Sequence, residues 1–88
     1  MLSEQMTELE RELLVITMEE CSELAIACSK LLRFGDEIKH RDNLIQEAGD
    51  VMCMIGLLVE HNLMEESNML QAVENKRNKL KMWSDLIK

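Results

Sequence analysis

The chain has no proline, no tyrosine, three glycines, one tryptophan and one phenylalanine in 88 residues. β-Branched residues are few as well, so little here suits a sheet and the composition favours helices. Cysteine is sparse and oddly numbered: Cys21, Cys28 and Cys53 show no Cys-x-x-Cys spacing. Such a set reads as reduced core residues of a cytoplasmic protein rather than a disulfide framework or a zinc site. The longest uncharged apolar run, residues 51–59, is too short to span a bilayer. Glu4, Glu8, Glu10 and Glu12 exclude a signal peptide at the N-terminus. Neither a Gly-rich phosphate loop nor a Ser-His-Asp or Cys-His arrangement can be found. Cationic excess is missing too: the net charge is −7, which disfavours a nucleic acid polymer as partner.

What is present is acid, methionine and helical periodicity. Hydrophobic residues make up 47% and charged residues 31%, with eight methionines, as in an ordinary folded domain. At 88 residues the chain is one domain, near the small end for a self-sufficient core. Charge is unevenly spread. Residues 1–30 hold seven acids and two bases, whereas residues 75–88 hold Lys76, Arg77, Lys79, Lys81 and Lys88 against Asp85. A basic final helix suits a phosphate ligand, and equally a solvated face whose charges complement the C-terminal dipole.

The pattern predicts three helices. The first runs from about Ser3, a favoured capping residue, to Arg33, and Gly35 ends it. Residues 34–43 read as a polar connector. Asp42 or Asn43 caps the second helix, with Gln46 completing a box-like pair. That helix runs to about His61, and Asn62 marks a break. A third starts between Met64 and Asn68, with Ser67 a candidate cap and Leu70, Val73, Leu80, Trp83 and Ile87 at helical spacing. The second helix is apolar nearly all round, which three helices in one small monomer cannot cover. An oligomer, dimer or tetramer, is therefore expected. Gly49 and Gly56 share one side of that helix and read as points of close helix approach.

Two acid pairs interrupt the most apolar stretches: Glu20 with Glu23, flanked by Glu19, and Glu47 with Asp50. Each i, i+3 pair puts two carboxylates on one helix face. The composition yields about three such pairs by chance, so their number means nothing. Their position does. Glu20 falls inside the stripe formed by Met6, Leu9, Leu13, Ile16, Leu24, Ala27 and Leu31, with Glu23 at its edge and Glu19 beside Ile26. Glu47 and Asp50 lie among Met54, Leu57 and Leu58. Carboxylates in apolar surroundings need a partner or a cation. Clustered hard oxygens suit Mg2+, with Mn2+ as substitute, and leave positions for water and phosphate. Glu-x-x-His pairs of the ferritin-like kind are not formed by these acids, since neither His40 nor His61 stands three residues after any of them. The histidines read as surface or connector residues.

Glu19-Glu20-Cys21-Ser22-Glu23, followed by Glu47-Ala48-Gly49-Asp50, resembles the EExxE…ExxD signature of the all-α nucleoside triphosphate pyrophosphohydrolases. That superfamily includes MazG-like proteins, dimeric dUTPases and phosphoribosyl-ATP pyrophosphohydrolase. The similarity covers roughly residues 13–83, with Arg33-Phe34-Gly35 in the connector. It implies an all-α bundle with a four-helix core completed by oligomerisation, the whole chain (residues 1–88) forming one such domain in the cytoplasm. It also implies Mg2+-dependent cleavage between the α and β phosphates, giving a nucleoside monophosphate and pyrophosphate. Carried over, Glu20, Glu23, Glu47 and Asp50 are metal ligands. Glu19 either orients the attacking water or is an exposed neighbour of Glu23. Asn75, Lys76 and Lys79 are candidates for phosphate contact on the following helix. Trp83 could stack on a base, though core packing is the simpler reading. Met52 and Met54 stand where the family usually has aromatics, so the base pocket is not legible. The rival reading is a non-catalytic helical interaction or regulatory module that keeps the acids as a structural network. A metal-storage bundle is the third, weakened by the missing histidines.

Overall fold

The computed structural model describes residues 6–87 and is all-helical there. Helix α1 spans Glu8–Phe34, α2 Ile38–Glu60 and α3 Glu66–Trp83. No helix is long and apolar enough to cross a membrane.

Each boundary has a local cause. Thr7 caps α1 in a reciprocal box: its hydroxyl accepts from the Glu10 N–H at 3.1 Å, and the Glu10 carboxylate accepts from the Thr7 N–H at 2.8 Å. Those bonds hold the Glu10 carboxyl below its ordinary value. The helix thus starts at Glu8, and the expected Ser3 cap lies outside the described residues. Gly35 ends α1 with φ +99°, a backbone conformation that glycine adopts without strain.

The connector is shorter than the composition suggests. Residues 34–43 are not a polar loop, because α2 begins at Ile38 and takes Asp42 and Asn43 into its first turns. Four interactions close the turn instead. Arg41 makes a two-bond ion pair with Asp36. His40 pairs with Glu37 at 3.3 Å and stacks on Phe34 with ring centroids 5.8 Å apart. The Arg33 guanidinium lies 4.9 Å from the Phe34 centroid. Backbone N–H groups of His40 and Arg41 donate to the Glu37 carbonyl, so the α2 start is secured without a side-chain cap. Ser67 caps nothing either: Glu65 occupies the α3 cap position, again without a side-chain bond. Asn62 does mark the α2–α3 break, at φ +61°, a conformation Asn tolerates better than most residues.

Helices α1 and α2 pack along their length into an antiparallel hairpin, whereas α3 shares no comparable interface with either. Leu13, Ala27, Met54 and Leu58 are the buried core. Ile16, Leu57, Leu63 and Met64 pack around the Leu13–Met54–Leu58 cluster. The molecule is consequently elongated, 45 × 31 × 17 Å, with a radius of gyration of 15.9 Å where about 12 Å would suit a compact chain of this length.

Several residues placed in the core by pattern are at the surface of the single chain. Cys21, Cys28 and Cys53 are all exposed. Trp83 is 67% exposed, with the Lys76 Nζ 5.7 Å from its ring centroid. Gly49 and Gly56 bring no helix close: a Cβ at either would meet no atom within 4 Å. The shared reason is that α3 does not fold back, leaving the outer faces of α1 and α2 uncovered.

Candidate metal centre

The hairpin brings Glu20 of α1 against Glu47 and Asp50 of α2. One carboxylate oxygen from each lies within 4.8 Å of the others, and all three side chains are partly buried. The convergence follows from the stripes. Leu13 and Ala27, seven residues either side of Glu20, are buried against α2, and seven residues is nearly two helical turns. On α2, Met54 and Leu58 are buried one and two turns beyond Asp50. The same packing that forms the core therefore points the acids inward.

Glu20 records the consequence. Its carboxyl is pushed above the ordinary value, first by loss of surrounding water, then by the charges of Asp50 and Glu47, by a hydrogen bond with Asp50, and by Glu23. No Lys or Arg is among these causes. The cluster is thus an anionic site short of positive charge, built entirely of hard oxygen donors.

The remaining expected residues are placed differently. Glu23 is exposed and does not join the close cluster, although its charge acts on Glu20. Glu19 is exposed, despite its place beside Ile26. Asn75, Lys76 and Lys79 lie on α3, all exposed, with the Asn75 side-chain oxygen accepting from Gln71 at 3.1 Å. Because α3 shares no interface with the hairpin comparable to that between α1 and α2, these three are not carried to the acids by the fold of one chain. The chain does contain one Glu-x-x-His spacing, Glu37 to His40, and the structure spends it on the 3.3 Å side-chain contact at the α1–α2 turn.

One feature had no signal in the sequence pattern. An apolar cavity of about 430 Å³ is lined by Leu31, Leu32, Leu44 and Ile45, with the Asp36–Arg41 pair among its walls. Leu44 stands one helical turn before Glu47, so the cavity lies along the hairpin from the acids. It exists because the turn closes three residues after Phe34, a length that only the Gly35 conformation and the Asp36–Arg41 pair reveal.

No protein-family model, curated protein or solved structure matches the chain. Geometry and donor chemistry therefore carry the functional reading.

Proposed function

We propose that this chain is a divalent-metal-dependent nucleotide pyrophosphohydrolase that splits a nucleoside triphosphate into the monophosphate and pyrophosphate. The observation that supports it most is the meeting of Glu20, Glu47 and Asp50 from two helices within 4.8 Å. The resemblance of the acid motifs to the MazG-like superfamily names the reaction.

The donor set fits Mg2+, or Mn2+, on its chemistry: three carboxylates, no sulfur or imidazole, and a raised Glu20 that a cation would return towards its ionised form. When bound, such an ion supplies Lewis acidity to phosphate oxygens and makes water a better nucleophile. Glu20, Glu47 and Asp50 would hold it. Glu23, one turn along α1, would extend the acidic surface towards a second ion or the hydration shell. Glu19 would orient the attacking water. The nucleoside end would rest in the apolar cavity by Leu44 and Ile45. Asn75, Lys76 and Lys79 would reach the phosphates once α3 lies over a hairpin in a homodimer or homotetramer, which also supplies the four-helix core one chain does not form.

The test is release of pyrophosphate by purified protein with Mg2+ and a panel of NTPs, dNTPs and phosphoribosyl-ATP. Release should be abolished by Glu20→Ala or Glu47→Gln. Orthophosphate as the sole product, or unaltered release by those variants, contradicts the reading. The many exposed apolar side chains, among them Val15, Met18, Ile45 and Met52, suit a non-catalytic interaction module as well. Titration calorimetry separates the two, since that module should bind neither Mg2+ nor nucleotide at millimolar concentration.

A further inference from the structure

Helix α1 carries a second apolar stripe that the hairpin does not use. Leu14, Met18, Cys21, Ala25, Cys28 and Leu32 alternate four- and three-residue steps, the spacing of a coiled-coil seam over more than two heptads. The stripe lies roughly 120° around the helix from the residues packed on α2. All six are exposed, Met18 by 70% and Leu32 by 87%. Solvation does not explain such a pattern, because a solvated face has no reason to repeat apolar residues at seam spacing.

We infer that this seam is an interface with a second copy of the chain, α1 lying antiparallel to α1 of the partner across a twofold axis near residue 23. The inference builds on the self-association proposed above and names its surface. Three observations select a second copy as the occupant.

The first is area. The chain exposes 7281 Å², against about 5,300 Å² for a folded monomer of this size. The surplus of roughly 2,000 Å² exceeds the ~800 Å² per partner of a stable interface. The second is shape. The centre of the stripe holds only small side chains, Cys21, Ala25 and Cys28, while Leu14 and Leu32 stand at its ends. An antiparallel pairing about residue 23 sets Leu14 against Leu32, Met18 against Cys28 and Cys21 against Ala25, so large residues close a tightly packed middle. The third is charge. The first turns of α1 carry Glu8, Glu10 and Glu12 against Arg11, and its last turns carry Lys30 and Arg33 with no acid between them. Antiparallel pairing brings acidic ends to basic ends and opposes the two helix dipoles; parallel pairing does neither. A self-complementary surface of this kind is what a twofold dimer requires.

Sedimentation equilibrium tests it. The full chain should dimerise, and Ala25→Glu should weaken the dimer at least about 100-fold, as expected for an unpaired charge at the centre of an apolar interface. Ala25 is exposed in the single chain, so helicity by circular dichroism should be unchanged. Orientation has its own readout. In a chain with Ala25→Cys, Cys28→Ala and Cys53→Ala, oxidised glutathione should give a covalent dimer whose peptide map joins Cys21 to the new thiol at position 25. Wild-type protein that stays monomeric up to millimolar concentration overturns both the seam and the proposed oligomer. A dimer unaffected by Ala25→Glu, or a map with only Cys21–Cys21 bridges, overturns this interface and leaves the hydrolase reading standing.

Discussion

The α1–α2 hairpin and α3 are built from similar helical material and reach opposite ends. Both are amphipathic, and both place charged residues within an apolar stripe: Glu20 on α1, Lys76 between Trp83 and Met69 on α3. In the hairpin a three-residue turn holds two helices side by side, so the stripes cover each other and the acids are drawn together. The α2–α3 link contains Asn62 in the left-handed region and lets α3 run off the hairpin. Its Val73 and Trp83 are then left exposed, and α3 has no buried residue. Amphipathicity alone does not make a core; a short, cross-linked turn does, because it limits the entropy lost in bringing two stripes together.

The largest test of that contrast is truncation. Leu58→Ala removes a buried side chain from the Leu13–Met54–Leu58 cluster and should cost about 2–3 kcal/mol in urea unfolding. Leu70→Ala on α3, at an exposed position, should cost less than about 0.5 kcal/mol at concentrations below the dimer range. Equal losses would mean that α3 packs on its own hairpin in solution.

A smaller effect separates the helix starts. Thr7→Ala breaks the capping box and should cost about 1 kcal/mol, whereas Glu65→Ala removes no side-chain cap from α3 and should change stability little. Amide exchange at Glu10 should quicken in the first variant only.

The smallest is a pH effect at the acid cluster. The Glu20 carboxyl is raised in the folded chain, so the folded state binds more protons than the unfolded one above the ordinary carboxylate range. Metal-free protein should therefore lose stability as pH rises from the unfolded Glu value through the raised folded value. Glu20→Gln should remove that slope, and millimolar Mg2+ should reverse the loss at neutral pH. The Asp36–Arg41 pair acts with the opposite sign: Asp36 is held low, first by its hydrogen bonds from Arg41. Its contribution is present at neutral pH and is lost on acidification through the folded value. A melting temperature that is flat with pH and indifferent to Mg2+ would mean the acids are solvated independently.

Much of the candidate site could be read from residue order. The place of Glu20 in an apolar stripe, and of Glu47 and Asp50 beside Met54 and Leu58, needs only a helical period, and all three do meet. Glu23 shows the limit of that reasoning. An i, i+3 partner shares a face, but a face is wider than a contact, and Glu23 at the edge stays in solvent. Thr7 was as legible as Ser3, since Thr-Glu-Leu-Glu is a capping box with its acid at the third position. The α2 start was not. Asn43 and Gln46 form a plausible box, and it lost to a turn closed by Arg41, His40 and Phe34, whose energies depend on distances that no local pattern contains.

Residue order by itself determined that this protein is helical, that Glu20, Glu47 and Asp50 lie on apolar faces, and that it carries more apolar surface than its length can bury, because each is a matter of periodicity and composition. Tertiary structure alone decided that Glu20, Glu47 and Asp50 share one site while Glu23 stands apart, and that α3 leaves the hairpin. Those outcomes turn on where two helices cross and how a three-residue turn is pinned, which are properties of the pair rather than of either helix.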